Sequence, residues 1–336
     1  MEASFFSFVL NFKRPGGTSR GVLHIKETFI LKVTDGHRTG TGECGLFRGL
    51  SADDVPEYEE KLAWLCQNID ADTKTLAKEL REFPSIWFGY EQAILNLKHG
   101  GKLYFPSDFT QGEAFIKING LIWMGDVEFM QKQIQEKLSA GFDCLKLKIG
   151  TDWSSEKKIL KQLRQDFPPQ QLELRVDANG AFTPEEAKKV LHELAELEIH
   201  SIEQPIKAGN TAQMRKLCSD SPTPIALDEE LIGVFDFEAK KALLETVKPH
   251  FIILKPSLVG GFAGSDEWIA IAEDLGIGWW ITSALESNIG LAAIAQYTFT
   301  KNPGIPQGLG TGGLFTNNFE TQLFLEGDEL WTNPVG

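Results

Sequence analysis

Short apolar runs alternate with amphipathic stretches along most of the chain after about residue 114. The apolar runs have the length of buried strands, and the stretches between them have the periodicity of helices that cover one face of a sheet. Strands and helices in strict alternation predict a parallel sheet, and eight strands close a β/α barrel. The predicted strands are 114–123, 144–150, 173–179, 201–206, 224–229, 251–257, 278–286 and a weaker eighth at 305–310.

The first hundred or so residues follow a different pattern. Strand-like runs at 5–12 and 22–33 precede a helical stretch at 85–98, with no β/α alternation. We therefore predict an α/β protein that consists of a (β/α)7β TIM-like barrel and an N-terminal α+β capping domain. The expected ranges are 1–113 for the capping domain, 114–315 for the barrel, and 316–336 for a C-terminal segment that returns to the capping domain.

One barrel helix is predicted in detail. Thr183 precedes Pro184, which suits the first helical position, and Glu186 completes a capping box with the threonine. Apolar residues then recur at helical spacing and form one stripe, which we expect to pack on the barrel. The stripe contains Ala187, Val190, Leu191, Leu194 and Leu197.

Composition excludes several classes of protein. The 336 residues include 33 Lys and Arg against 47 Asp and Glu, a net charge of −14. Such a surface repels a phosphate backbone, so nucleic acid is not an expected partner. No apolar run approaches the roughly 18 residues of a membrane helix. The N-terminus lacks the basic region and cleavage site of a signal peptide, which leaves a cytoplasmic location as the prediction.

The cysteines do not form a motif. Cys44, Cys66, Cys144 and Cys218 are scattered, without a Cys-x-x-Cys pair or a cluster of histidines. Neither a zinc site nor a disulfide framework is predicted, and the four thiols are interpreted as small buried apolar groups.

Two lysines share one face of a predicted strand. Lys146 and Lys148 lie opposite Leu145, Leu147 and Ile149 because side chains alternate along a strand. Lysines are seldom buried without a partner, so an edge strand with a solvated basic face is an equally plausible interpretation of this strand alone.

Acidic residues follow the next three strands. Arg175, Asp177 and Asn179 share a face, and Glu203 and Asp228 come at the ends of the two strands after them. A single acid at such a place is more often a helix cap or a surface residue than a functional group.

The spacing of these residues favours a shared site. Lys148, Asp177, Glu203, Asp228 and Lys255 follow one another at intervals of 25 to 29 residues, which is one β/α unit. The carboxyl ends of barrel strands meet at one mouth, where barrel active sites lie. Three converging carboxylates repel one another, so a divalent cation is the expected partner, and ligation by oxygen alone favours Mg²⁺ over zinc.

These motifs together resemble the muconate-lactonising branch of the enolase superfamily over the whole chain. They are Lys146-x-Lys148, Asp177-Ala178-Asn179, Glu203-Gln204-Pro205, Asp228-Glu229, and Leu254-Lys255-Pro256 followed by Gly260-Gly261. Within that branch the chain is most similar to the o-succinylbenzoate synthase family, through two more specific segments. These are Gly17-Thr18-Ser19-Arg20-Gly21 and Ser283-Ala284-Leu285-Glu286-Ser287-Asn288-Ile289-Gly290.

The resemblance implies roles for individual residues. Asp177, Glu203 and Asp228 are implied as ligands of Mg²⁺, for which Mn²⁺ can substitute, and Lys148 and Lys255 as groups on opposite faces of a small-molecule carboxylate substrate. The loop near 17–20 is implied to close over the site. The candidate substrate contacts are Arg20, Arg175, Asn179, Ser283 and Glu286.

The implied reaction is a syn elimination of water in menaquinone biosynthesis. Lys148 removes a proton beside the substrate carboxylate and returns it to the departing hydroxyl, while Lys255 stabilises negative charge from the other face. A neutral Lys148 requires a pKa about three units below the usual value, or roughly 4 kcal/mol of differential interaction. The positive charges of Lys146 and Mg²⁺ are the expected source.

Two alternatives stay open. An N-acylamino acid racemase or dipeptide epimerase of the same superfamily would use Lys148 and Lys255 as two bases. Dipeptide epimerases tend to carry Asp-x-Asp near the eighth strand, and Gly308-Leu309-Gly310-Thr311-Gly312 has no acid there. A non-catalytic barrel that binds a metal or ligand is the alternative of another class, although idle inward-facing lysines would cost stability. The oligomeric state is not predicted.

Overall fold

An antiparallel sheet and three helices form the N-terminal part of the computed structural model, which describes residues 1–18 and 21–335. The elements are β1 (Glu2–Thr18), β2 (Gly21–Thr34), β3 (Thr39–Cys44), α1 (Tyr58–Gln67), α2 (Thr73–Glu79) and α3 (Pro84–His99). The strands lie in the order β1-β2-β3. Phe29, Leu31 and Val33 are buried, and they pack with residues of the three helices in a separate apolar core.

The close fit of β3 against α3 depends on glycine. A Cβ atom at Gly42 would lie 2.0 Å from the carbonyl oxygen of Gly89, so no larger residue fits between the strand and the helix. The predicted α+β character of the N-terminal part is therefore built on direct backbone contact between its sheet and its longest helix.

The rest of the chain alternates strands and helices. Its strands are β4 (Ile116–Lys117), β5 (Gly120–Ile122), β6 (Cys144–Lys148), β7 (Glu173–Asp177), β8 (Ser201–Glu203), β9 (Ile225–Leu227), β10 (Phe251–Leu254), β11 (Gly278–Ile281), β12 (Leu323–Glu326) and β13 (Glu329–Thr332). Its helices are α4 (Val127–Ser139), α5 (Trp153–Asp166), α6 (Pro184–Glu196), α7 (Thr211–Asp220), α8 (Phe237–Val247), α9 (Pro256–Val259), α10 (Gly261–Asp274) and α11 (Asn288–Thr300), with a 3₁₀ turn at Glu229–Leu231.

Strands β5 to β11 form one curled parallel sheet in sequential order. The register places Lys148 level with Asp177, and Asp177 level with Glu203. The spacing of one β/α unit in the sequence therefore becomes a row of charged residues at the carboxyl ends of adjacent strands.

The predicted eighth strand is present only as isolated pairs. Gln307 bridges to Ile118 and Gly308 bridges to Thr282, both in parallel sense, so this segment connects the two edges of the curled sheet. The barrel architecture was predicted correctly. The predicted strand at 114–123, in contrast, divides into β4 and β5, because β4 pairs with the C-terminal hairpin instead of the barrel.

The end of the chain contacts both parts of the molecule. Asn317 accepts a hydrogen bond from the backbone N–H of Asn11 in β1, at 2.8 Å. Further on, β12 and β13 form a hairpin whose second strand pairs with β4. We propose the division into 1–113, 114–315 and 316–336 as the domain organisation of the chain.

The capping box at the start of α6 is present as predicted. The hydroxyl of Thr183 accepts a hydrogen bond from the backbone N–H of Glu186, and the Glu186 carboxylate accepts one from the backbone N–H of Thr183. Of the predicted apolar stripe, Ala187, Val190, Leu191 and Leu194 are buried against the barrel, whereas Leu197 is half-buried at the C-cap. None of the helices in the described ranges is both long enough and apolar enough to cross a membrane.

A buried carboxylate joins the capping domain to the barrel. Glu43, in β3, accepts hydrogen bonds from the Thr28 hydroxyl, from the backbone N–H and hydroxyl of Ser287, and from the backbone N–H of Gly290. Ser287 is the N-cap of α11, so the carboxylate lies where the helix dipole favours negative charge. The segment between β11 and α11 carries the cavity residues Thr282 to Leu285, and Glu43 fixes the end of this segment relative to the capping domain.

Replacing Glu43 with Gln tests this contact. The amide keeps the shape but turns an NH₂ group toward donors that need an acceptor, so we expect the free energy of unfolding to fall by about 2–4 kcal/mol. Urea denaturation gives the value. Glu60→Gln makes the same chemical change on the exposed side of α1, and we expect it to shift stability by less than about 0.5 kcal/mol. Equal stabilities for the two variants would contradict the assigned role.

Candidate active site

A cavity lies between the mouth of the barrel and the capping domain. Leu23, Phe47 and Leu50 of the N-terminal part cover it, and the barrel forms its floor and walls. An apolar cover over a few convergent polar groups is the usual composition of a small-molecule site. The barrel residues that line it are Asn119, Leu121, Trp123, Lys146, Lys148, Asp177, Asn179, Lys255, Thr282, Ser283, Ala284, Leu285, Gly308, Gly310 and Thr311.

The charged residues at the barrel mouth form a buried network of ion pairs. Lys148 Nζ lies 2.6 Å from Asp177 Oδ2, and Lys146 Nζ lies 2.7 Å from Glu203 Oε2. Lys255 Nζ contacts Asp228 Oδ2. Each of these six residues is at least nine-tenths buried, so the pairing supplies the stabilisation that water would otherwise give.

Burial and neighbouring charges compete at each carboxylate. Burial alone would raise the pKa of Asp177, but the ammonium groups of Lys148 and Lys146 lower it below its ordinary value. Burial is the main cause that raises the pKa of Glu203 to about 7, and repulsion from Asp177 is the second cause. Burial would lower the pKa of Lys255, but Asp228 and Glu203 raise it above the usual value. Lys255 is therefore held as a cation.

Two strained backbone positions shape the acidic wall. Asn179 and Gln204 both have left-handed φ angles, 44° and 40°, a conformation that costs energy for residues other than glycine. The Gln204 side-chain oxygen accepts the backbone N–H groups of Asp228 and Glu230, at 3.1 and 3.3 Å. Gln204 thus fixes the turn after β9, which carries Asp228.

Asn179 supports the lysine at the end of β6. Its side-chain oxygen accepts a hydrogen bond from Lys148 Nζ at 2.7 Å, and its side-chain NH₂ donates to Glu229 Oε1 at 3.0 Å. Lys148 is therefore held between a carboxylate and an amide oxygen, both of which accept hydrogen bonds from its ammonium form.

The three acids suit a divalent cation in their chemistry but face lysines in this structure. Across residues 1–18 and 21–335, no group of three or more acidic, histidine or cysteine side chains is arranged to hold a metal ion. Glu203 Oε1, however, is buried, accepts no hydrogen bond, and lies 3.8 Å from Lys255 Nζ. A buried carboxylate oxygen without a donor is costly, and the all-carboxylate set matches the oxygen ligands that Mg²⁺ prefers.

The structure separates the predicted substrate contacts into two groups. Asn179 and Ser283 line the cavity. Arg175 and Glu286 do not, although the sequence suggested that both face the substrate. Arg20 lies outside the described residues.

Arg175 lies below the cavity, where its guanidinium contacts other groups of the protein. Its Nε donates to Glu173 at 2.6 Å, its Nη1 donates to the carbonyl oxygen of Pro306 at 2.9 Å, and its guanidinium lies over the ring of Trp280. The alternation along β7 correctly predicted an inward direction, but the residue lies one level deeper than Asp177 and packs within the barrel.

Glu286 is part of the wall behind the cavity. It accepts hydrogen bonds from the Ser257 hydroxyl and from the backbone N–H of Ala284, at 2.5 and 2.7 Å. Burial raises its pKa, which the positive charge of Lys26 in β2 partly offsets. The residue therefore orders the strand end that carries Ser283 and Ala284.

Several cavity residues were not identified from the sequence. The polar ones are Asn119, Thr282 and Thr311, and the capping residues Leu23, Phe47 and Leu50 were also missed. The position of Asn119 could have been predicted, because side chains alternate along the predicted strand 114–123 and place Asn119 on the same face as Leu121. For the capping residues no sequence signal specified which side chains meet the barrel.

Comparison with known proteins identifies relatives over the full length. The family described as enolase C-terminal domain-like matches residues 129–320. The o-succinylbenzoate synthase of Desulfotalea psychrophila is 46% identical, with 98% of each chain covered. The crystal structure of MenC from Desulfotalea psychrophila has a TM-score of 0.88 at 42% identity, and the match covers 98% of this chain and 99% of that one.

A more distant structure shares the fold. The dipeptide epimerase of Enterococcus faecalis, solved in complex with Mg and the dipeptide L-Leu-L-Tyr, has a TM-score of 0.85 at 21% identity, and the match covers 99% of this chain and 97% of that one. The whole architecture, with both the N-terminal part and the barrel, is therefore common to proteins of at least two activities.

Proposed function

This chain belongs to the o-succinylbenzoate synthase family of the enolase superfamily, and from that membership we propose the reaction that it catalyses. It is a hydro-lyase that dehydrates 2-succinyl-6-hydroxy-2,4-cyclohexadiene-1-carboxylate to o-succinylbenzoate in menaquinone biosynthesis. The full-length similarity to the Desulfotalea psychrophila enzyme supports this assignment. The four cysteines are unpaired, as is usual in a reducing compartment, and we propose a cytoplasmic location.

The positions of Lys148 and Lys255 are the main support for the proposed mechanism. Lys148 ends β6, Lys255 follows β10, and β6 and β10 lie four strands apart in the sheet. In a barrel of eight positions these strands are opposite each other. Both lysines line one cavity, so a flat ring between them would present one face to each.

Lys148 is proposed as the base and then the acid. As a neutral amine it takes the proton from the ring carbon that bears the carboxylate. The electron pair of that C–H bond completes the aromatic ring as the C–O bond to the hydroxyl breaks. The new ammonium returns the proton to the departing oxygen on the same face, and the hydroxyl leaves as water.

Lys255 is proposed to stabilise negative charge. Its ammonium is held as a cation by Asp228 and Glu203, so it is a poor base at neutral pH. Opposite Lys148, a fixed positive charge attracts the electron density that develops over the ring and its carboxylate in the transition state.

We propose that Asp177, Glu203 and Asp228 hold Mg²⁺, for which Mn²⁺ can substitute. When bound, the ion supplies positive charge beside the substrate carboxylate. The buried oxygen of Glu203 that accepts no hydrogen bond supports this assignment, as does the Mg in the complex of the Enterococcus faecalis epimerase.

A second candidate is epimerisation of an N-acylamino acid or a dipeptide. Two lysines on opposite sides of a stereocentre also suit a two-base mechanism. The cavity wall at the eighth position, however, consists of Gly308, Gly310 and Thr311, and none of them carries the negative charge that a dipeptide ammonium group requires.

Direct assay distinguishes these functions. Purified protein with Mg²⁺ is offered the hydroxycyclohexadiene carboxylate, and the formation of the aromatic product is followed by absorbance. A panel of N-acylamino acids and dipeptides is tested for exchange of the α-proton with deuterium. We expect rapid dehydration and much slower exchange. Efficient epimerisation without dehydration would support the second candidate, and no turnover of any substrate would indicate a non-catalytic protein.

Replacing Glu203 with Gln tests the metal assignment. The change removes one negative ligand at constant shape, so we expect the Kd for Mg²⁺ to rise at least tenfold. In the wild type, Mg²⁺ at 100 times its Kd should add about 2.7 kcal/mol of stability, and EDTA should abolish dehydration. Calorimetry measures the Kd, and thermal unfolding measures the gain in stability. Glu196→Gln, on the exposed side of α6, should retain wild-type metal binding. Unchanged Mg²⁺ affinity in Glu203→Gln would rule out this ligand.

Arginine substitutions separate the roles of the two lysines. Arginine keeps the positive charge but does not deprotonate near neutral pH. Lys255→Arg should therefore keep measurable dehydration, whereas Lys148→Arg should lose it by at least about 1,000-fold, the upper part of the range for a lost acid–base group. Both variants are compared after circular dichroism confirms folding. Equal and complete loss in both would contradict the one-base mechanism.

A further inference from the structure

A buried asparagine forms part of the cavity floor. Asn119 lies between β4 and β5, and its backbone N–H donates to the carbonyl oxygen of Gln307 at 2.9 Å, in the contact that closes the barrel. The residue is 3% exposed and lines the same cavity as Lys146 and Lys148. The backbone therefore fixes the position of this amide within the site.

The side-chain oxygen of Asn119 is buried and has no hydrogen-bond partner. Leaving such a group unpaired costs about 1–3 kcal/mol. A leucine of similar size would avoid that cost and would extend the apolar wall formed by Leu121 and Trp123. Fold stability alone therefore gives no reason for an amide at this position.

The other polar groups of the cavity already have partners. The hydroxyls of Ser283 and Thr311 bond to each other at 2.6 Å, and Thr282 donates to the carbonyl oxygen of Gly308 at 2.8 Å. Asp177 and Asn179 accept from Lys148. Among the cavity-lining residues within the described ranges, Asn119 Oδ1 is the buried side-chain oxygen left without a donor.

The chemistry of the proposed substrate matches this unpaired acceptor. Its two carboxylates and its ketone can only accept hydrogen bonds, and its ring hydroxyl is its one donor. The cavity offers ammonium groups to the acceptors. Resting on the proposed dehydration, we propose that Asn119 Oδ1 accepts a hydrogen bond from the hydroxyl that leaves as water, and so binds and orients the leaving group.

This contact has a consequence for the reaction. With its hydrogen directed to Asn119, the hydroxyl presents its lone pairs to the ammonium of Lys148, which must protonate it as the C–O bond breaks. The aromatic product has lost the hydroxyl and cannot make the bond. Asn119 therefore favours the substrate and the transition state over the product.

Asn119→Leu with Mg²⁺ present tests the proposal through two ligands. We expect kcat/KM for dehydration to fall about 10- to 100-fold, in keeping with the loss of one buried hydrogen bond to a substrate hydroxyl. The Kd of o-succinylbenzoate, measured by calorimetry, should change less than about twofold because the product makes no bond to Asn119. The melting temperature should not fall, because the unpaired buried oxygen is removed.

Two further variants make the result decisive. Leu121→Ala reshapes the same wall without removing a polar group, and it should change substrate and product binding by similar factors. Asn119→Ser keeps a short acceptor and should recover part of the lost rate. It also replaces the leucine variant if that protein does not fold.

Two outcomes overturn the proposal. In the first, product affinity falls with kcat/KM in Asn119→Leu, which would show that the residue only shapes the cavity. In the second, kcat/KM is unchanged. Failure of the proposed function is a separate result, because it appears as absent dehydration by the wild type, whereas the role of Asn119 is measured as a ratio of variant to wild type.

Discussion

The burial of several opposite charges at the ends of parallel strands is the constraint on which the rest of the structure depends. Three lysines and three carboxylates lie in the barrel mouth, at least nine-tenths buried. Unpaired, each would carry a large desolvation cost. The parallel register of β6, β7 and β8 removes that cost by placing Lys148, Asp177 and Glu203 side by side. The fold thus concentrates charge at one place and stabilises it through mutual pairing.

The capping domain adds an apolar cover to this arrangement. Leu23, Phe47 and Leu50 cover the charged floor with apolar surface, which lowers the local dielectric and strengthens each electrostatic interaction beneath. Glu43 holds the cover in register with α11 by accepting three hydrogen bonds from Ser287 and Gly290. Catalytic charge and apolar cover therefore come from different parts of the chain, and a buried carboxylate joins them.

The site contains groups with two possible partners. The acids that are proposed to bind Mg²⁺ are paired with lysines here, and Glu203 keeps one oxygen that accepts no hydrogen bond. Lysines and a divalent ion are both suited to neutralise the same carboxylates, so metal binding and lysine position are coupled. Asn119, on the cavity floor, adds a neutral acceptor beside the lysine ammonium groups that line the cavity. Ammonium donors together with one unpaired acceptor suit a dicarboxylate that carries a single hydroxyl.

The sequence by itself determined the barrel, the inward direction of the lysines and acids, and the capping box of α6, because these depend on periodicity and on contacts within a few residues. Only the tertiary structure decided which side chains contact one another. It placed Arg175 against Glu173, Pro306 and Trp280, and Glu286 against Ser257. In place of the predicted eighth strand, the structure has single bridges at Gln307 and Gly308. Such contacts join residues that are mostly distant in the chain, and local pattern carries no information about which long side chain reaches which partner.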